Sequence, residues 1–321
     1  NPNVKPERVT EYELGTDLRF FDNKVNLSVT TYYRETSDML LNISLNTPVA
    51  YGSTWQNAAK MSNKGLEVEL GADILKSGKL TWNISTNFSL YRNNVISLAG
   101  TDVQYPAGTY GGFAVIEKHP FGVFFNTDFL HDDQGKYILD SNGFPQAGNQ
   151  QEVMGNSNPQ WRGGIGNTLS YGNLTLYALV DRVYGNQFWN GTRGALYTFG
   201  THADNGHTIV AAQDLKDVNG NTITAGTEFR GQVKDFGAGP VALTQDWYQG
   251  LGTSFSSASA KQFLEDATVL RVREISLSYG LRSPGFKAKT KLNSIDFSLT
   301  GRNLFLWTPF TGVDPEVNIT G

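Results

Sequence analysis

Leu66-Glu67-Val68-Glu69-Leu70-Gly71-Ala72-Asp73-Ile74 alternates without a break, turns within residues 76–79, and returns as Leu80-Thr81-Trp82-Asn83-Ile84-Ser85-Thr86-Asn87-Phe88-Ser89-Leu90. Leu66, Val68, Leu70, Ala72 and Ile74 share one face, as do Leu80, Trp82, Ile84, Phe88 and Leu90 on the return. The opposite faces carry Glu67, Glu69, Asp73, Asn83, Ser85, Asn87 and Ser89. A period of two held this long predicts two antiparallel strands, each about twice the usual strand length.

The same device recurs on either side. Leu14, Thr16, Leu18 and Phe20 alternate with Glu13, Gly15, Asp17 and Arg19, and after a turn at 22–24 come Val25, Leu27, Val29, Thr31 and Tyr33. A third, weaker hairpin carries Ile165 and Leu169, with Asn167 interrupting the apolar face, then Leu174, Leu176, Ala178 and Val180. A fourth pairs Ile275, Leu277 and Tyr279 with Ile295, Phe297 and Leu299 across residues 282–293. Leu270 and Val272 sit in the opposite phase to Ile275, which predicts a β-bulge near Arg273. The short turns alternate with long connections, read as 40–64, 92–160 and 190–266. Short turns at one end and long loops at the other are the organisation of a barrel crossing an outer membrane.

Composition bounds the alternatives. The 321 residues carry a net charge of −4 and a mean hydropathy of −0.34, with 35 Gly, 14 Tyr, 19 Phe, 6 Trp and no Cys. No apolar run reaches the ~20 residues of a membrane helix. A transmembrane barrel escapes that test, because only alternate residues face lipid. The absence of a basic stripe argues against a nucleic-acid partner, and the lack of Cys removes thiolate metal sites and Cys nucleophiles. Aromatics gather at strand ends: Phe20, Phe21, Trp82, Tyr171 and Tyr279 on the short-turn side, and Tyr33, Tyr91, Trp161, Tyr184, Phe305 and Trp307 on the other. Two such girdles a strand length apart suit the two interfaces of a bilayer. The fold expected is all-β, an antiparallel transmembrane β-barrel segment of about eight strands with apolar residues outward and a polar lumen.

Four segments resemble the SusC/RagA-like TonB-dependent outer-membrane transporters. They are Asn1-Pro2-Asn3-Val4-Lys5-Pro6-Glu7 with Glu11-Tyr12-Glu13-Leu14-Gly15, and Asn57-Ala58-Ala59-Lys60-Met61-Ser62-Asn63-Lys64-Gly65-Leu66-Glu67. The third is Glu265-Asp266-Ala267-Thr268-Val269-Leu270-Arg271-Val272-Arg273-Glu274-Ile275-Ser276-Leu277-Ser278-Tyr279, and the last Gly301-Arg302-Asn303-Leu304-Phe305-Leu306-Trp307-Thr308 with Gly312-Val313-Asp314-Pro315-Glu316. Ala59 departs from the family's usual Gly. The resemblance implies a 22-stranded barrel of which residues 1–321 are a C-terminal part, without the plug, the earlier strands and the final strand. It further implies a SusD-like surface lipoprotein, energy from TonB through a missing N-terminal part, contact with lipid bilayer and lipopolysaccharide, and import of oligosaccharides or oligopeptides across the bacterial outer membrane. No cofactor is implied.

Loop aromatics are the candidates for facing substrate or lid: Tyr51, Trp55, Tyr110, Trp189, Tyr197, Trp247 and Tyr248. Their flat rings stack on sugars or pack against apolar peptide side chains. No catalytic motif is present, so an enzyme is not expected, and no metal site either: His202 and His207 read as solvated loop. Asp132-Asp133-Gln134-Gly135 and Asp217-Val218-Asn219-Gly220-Asn221 lack the spacing of a helical calcium loop and read as hairpin turns. The alternatives are a passive porin or adhesin barrel without energy coupling, and a soluble β-rich glycan-binding or glycan-cleaving domain.

Overall fold

The computed structural model describes residues 3–44, 53–100, 102–106, 110–254, 257–282 and 284–317. Eight strands form one antiparallel sheet in chain order: β1 (Arg8–Phe20), β2 (Val25–Ser44), β3 (Ser53–Ser77), β4 (Leu80–Leu98), β5 (Trp161–Tyr171), β6 (Leu174–Tyr184), β7 (Val269–Leu281) and β8 (Ile295–Trp307). Each strand pairs with its chain neighbour, so all the short turns lie at one end and all the long connections at the other. The first turn holds Phe21, Asp22 and Asn23 at φ 55, 56 and 65, and two later ones use Gly78 and Gly172 at φ 58 and 60.

Among the described residues nothing packs over the apolar faces. Leu14 is 74% exposed, Ile165 50%, Phe297 58% and Leu299 78%. A soluble sheet would bury that face, whereas a sheet set in hydrocarbon presents it outward. On the opposite face the polar residues pair across strands: Ser28 Oγ donates to Asp17 at 2.5 Å, Arg34 bridges Glu11 at 2.8 Å, and Arg302 bridges Glu274 at 3.1 Å. Gly65, in the Asn-Lys-Gly-Leu-Glu segment of β3, is required there because the Tyr32 ring lies across it. A Cβ at Gly65 would come within 2.4 Å of that ring.

The bulge expected near Arg273 is present. The β6–β7 and β7–β8 registers both shift between Val272 and Glu274, leaving Arg273 unpaired in each ladder. Asn167 does lie on the apolar face, opposite Ile84, where its Oδ1 accepts from the Trp82 indole N–H at 3.4 Å. Its polarity is thus partly satisfied by a girdle residue.

Two readings need correction. Residues 40–64 are no long loop: β2 and β3 keep pairing from Met39↔Ala59 to Ser44↔Ser53, beyond irregularities between Thr36 and Leu40. Asp38 there has φ 55, which breaks the alternation and hid the strand. At 25 residues β3 is roughly 80 Å long by the usual rise per residue, so it stands well clear of a ~30 Å hydrocarbon layer even when tilted. The raised part has a core of its own, Leu41, Ile43, Ala58, Ala59, Val95 and Val115. Tyr91 also leaves the outer girdle. It pairs with Gly65, lies on the polar face, and is hydrogen-bonded to Asn158 Oδ1 at 3.4 Å.

Candidate functional site

The connections at the long-loop end fold into a layer over the mouth of the sheet. Val103–Gln104, Phe113–Ile116, Val123–Phe129 and Ala147–Asn156 form a four-stranded sheet between β4 and β5. Between β6 and β7 lie two helices, α1 (Gly191–Thr198) and α2 (Gln245–Gln249), and several two-stranded ribbons. Four tight turns share one design, in which an Asp side chain accepts the backbone N–H groups two and four residues on: Asp132, Asp140, Asp217 and Asp235. The first and third are the two segments read above as hairpin turns. His202 caps a short turn, its Nδ1 accepting from Asp204 N at 3.1 Å.

Two polar nodes fasten this layer to the sheet. Asn190 caps α1 and donates to Glu265 Oε1 at 3.2 Å and to Thr311 O at 2.8 Å, while Glu265 also takes Arg193 Nη1 at 2.9 Å. Arg271, buried at 5% exposure, grips both carboxylate oxygens of Asp314 at 2.8 and 2.7 Å. Arg273, turned by the bulge, bridges Asp181 and Glu316. Burial alone would raise the Asp314 carboxyl, but the Arg271 hydrogen bonds, the Glu316 N–H and the charges of Arg271 and Arg273 outweigh it and hold the group below its ordinary value. These contacts give the Gly-Val-Asp-Pro-Glu segment a structural reason: it clamps the chain after β8 onto β7.

The candidate aromatics separate by burial. Tyr197, Trp247 and Tyr248 are 4%, 3% and 1% exposed, so the expectation that they face substrate or lid is corrected: they form the core of the layer. Trp247 stacks on Phe129 at 6.0 Å and lies 5.4 Å from Phe144, joining one long connection to the other. Tyr197 meets Tyr248 edge-on at 4.9 Å, and burial pushes the Tyr248 phenol far up. Trp189 is half-buried between Gly111 and Gly191, where a Cβ would approach its ring within 2.4 and 2.6 Å. Trp55 (57%) and Tyr110 (63%) are exposed, Trp55 from within β3 rather than from a loop. Tyr51 lies outside the described residues.

Between the two long connections lies a polar cleft of about 630 Å³ that no spacing in the sequence announced. Asp128, at 9% exposure, accepts from Phe129 N at 2.8 Å and from Lys261 Nζ at 3.2 Å. Lys261 also reaches Glu152 at 3.9 Å, and His131 lies against Tyr137 with ring centroids 4.8 Å apart. Burial and the Asp128 charge raise the Tyr137 phenol. Charged groups of both signs, amides from Asn149 and Gln150 and an aromatic wall suit the capture of a polar ligand. Only tertiary packing brings Asp128 and Lys261 together; Asp128 alone, between Thr127 and Phe129 at a strand end, carries no signal.

Residues 1–149 match the family described as TonB dependent receptor-like, beta-barrel. The chain is 23% identical to the TonB-dependent receptor P26 of Formosa agariphila over 98% of its length, covering 32% of that protein. It is 22% identical to the TonB-dependent receptor SusC of Bacteroides thetaiotaomicron, covering 99% of itself and 30% of SusC. The chain therefore spans about a third of the length of the curated relatives it matches. A solved structure of the RagAB peptide importer in its closed-closed state superposes with a TM-score of 0.72 at 20% identity, over 99% of this chain and 34% of that one. That family is one of receptors, not of enzymes. An open-faced antiparallel sheet with its loops at one end is thus similar in sequence to TonB-dependent receptors, SusC among them, and in fold to a solved importer barrel, with residues 1–149 matching the receptor β-barrel family itself.

Proposed function

We propose that residues 1–321 are a C-terminal part of an outer-membrane barrel that imports oligosaccharides or oligopeptides, working with a SusD-like surface lipoprotein and driven through TonB. The observation that carries this reading is the pairing of a sheet whose apolar face is open with a folded layer gathered at one end. The sheet spans, and the layer receives. Support for import comes from the names of relatives, one a TonB-dependent receptor SusC and another a peptide importer. Within the layer, recognition falls to the exposed Trp55 and Tyr110 and to the cleft of Asp128, His131 and Lys261, while Trp189, Tyr197, Trp247 and Tyr248 serve the scaffold.

Uptake of labelled oligosaccharide and oligopeptide pools by cells carrying the full-length receptor tests the proposal. Uptake should collapse when TonB is removed, and the substitutions Trp55→Ala, Tyr110→Ala and Lys261→Ala should each lower it several-fold with surface abundance unchanged. Uptake that survives the loss of TonB would identify a passive barrel. Unchanged uptake in all three variants would move recognition out of this chain, to the lid or to other parts of the receptor.

A further inference from the structure

On the lipid-facing side of the sheet, just inside the outer girdle, a cation interrupts the apolar face. Arg182 of β6 lies across from Gly163 of β5 and Leu270 of β7, and is exposed. Its chain neighbour Asp181 points to the polar face, where Arg273 holds it at 2.9 Å. Arg182 has no carboxylate partner among the described residues. Its guanidinium carbon instead lies 5.6 Å from the Trp161 ring and 5.2 Å from the Tyr184 ring, which stack on each other at 5.6 Å. Immediately below is a groove of about 300 Å³ with an almost wholly apolar lining. Its floor is Gly163, and its walls are Phe88, Ile165, Val180 and Leu270.

Depth gives these parts a direction. Trp161 and Tyr184 pair at the outer end of β5 and β6, and Tyr171 marks the other end of β5. Eleven residues, tilted as barrel strands are, span roughly 25 Å, the height of an outer-membrane apolar band. Arg182 is two cross-strand pairs inside the outer girdle, so its long side chain reaches the headgroup level while its stem stays in hydrocarbon. The groove runs from there toward the middle of the membrane.

We propose that this is a seat for an anionic glycolipid of the outer leaflet, with a headgroup phosphate on Arg182 and an acyl chain lying in the groove over Gly163. Charge complementarity selects the headgroup, since a guanidinium flanked by two aromatic faces offers its remaining donors to phosphate oxygens. The missing side chain at Gly163 makes room for the chain. The proposal rests on the outer-membrane reading above.

The full-length receptor, purified from membranes, is loaded with lipid A or with dephosphorylated lipid A, and retained lipid is measured by native mass spectrometry. Wild type should prefer the phosphorylated form by about ten-fold, the gain expected of a charge-assisted hydrogen bond. R182Q should abolish the preference and R182K should keep most of it. G163L, by filling the groove, should reduce retention of both forms. Equal retention of the two lipids by wild type, or an unchanged preference in R182Q, overturns the proposal and leaves the membrane reading standing. Release of the receptor from membranes by alkaline wash without detergent would overturn both.

Discussion

The outer face of the sheet and the layer above its mouth are built from the same residue types for opposite surroundings. Tyr171 and Trp307 lie 64% and 53% exposed on the sheet, while Trp247 and Phe144 are buried in the layer. On the sheet, apolar side chains find their solvent in lipid, and hydrogen-bonding of the backbone is completed between strands. In the layer, two connections of irregular backbone stand in water. They hold a shape only by burying aromatics against one another and by spending Asp side chains on their turns. An aromatic residue therefore says little about its role until its environment is known.

The comparison breaks most sharply at Trp247. Trp247→Ala should cost about 3–5 kcal/mol by opening a cavity in the layer. It should make residues 99–160 and 190–266 protease-sensitive together, because Phe129 and Phe144 lose the ring that joins them. Heat-resistance of the sheet, followed by gel mobility in detergent, should barely move. Loss of sheet and layer at one temperature would show that they are not separate cooperative units.

Next in size is the polarity of the sheet. Leu27→Arg or Val68→Arg should each cost ~2–4 kcal/mol near mid-membrane, while Ser28→Arg and Glu67→Arg on the polar face should be tolerated far better. Refolding titrations into lipid vesicles measure the difference, and equal damage on both faces would argue for a soluble sheet. Gly65→Ala should cost about 1–3 kcal/mol, since its Cβ has no room beside the Tyr32 ring. Adding Tyr32→Ala should recover most of that loss, and a double variant no better than Gly65→Ala would exclude the ring as the cause.

The smallest effect tests the join between the two regions. The Asp314 carboxyl is held below its ordinary value of 3.8, so its contribution is complete above that pH and is lost as the pH falls through the lowered one. For this partly exposed pair the change should be about 1 kcal/mol. Protection from hydrogen exchange at residues 311–317, taken relative to the intrinsic rate at each pH, should fall in acid in the wild type, and in Asp314→Asn it should already be lowered at neutral pH. An Asp314→Asn protein with wild-type exchange at pH 7 would show that the clamp holds without this charge.

Alternation alone located the four hairpins, the faces that share lipid or lumen, and the bulge at Arg273, because a strand in a membrane must keep its period across the whole span. It failed at Asp38, where a left-handed residue shifts the phase, and residues 40–44 of β2 and 53–64 of β3 read as a connection. At Tyr91 residue type misled where alternation did not: its position in the period places it on the polar face although its type suggests a girdle. Local spacing also sufficed for the Asp-initiated turns, whose hydrogen bonds close within four residues. The site was less legible. Trp247 and Tyr248 read as facing substrate or lid because they lie in a long connection, yet the partners that bury them, Phe129, Phe144 and Tyr197, come from distant segments. The Asp128–Lys261 cleft and the Arg271–Asp314 clamp likewise join residues far apart in the chain. Periodic structure in a uniform solvent is written locally, so the sequence by itself determined the sheet and its two faces. Contacts between irregular segments depend on where the loops meet, and that only the tertiary structure decided.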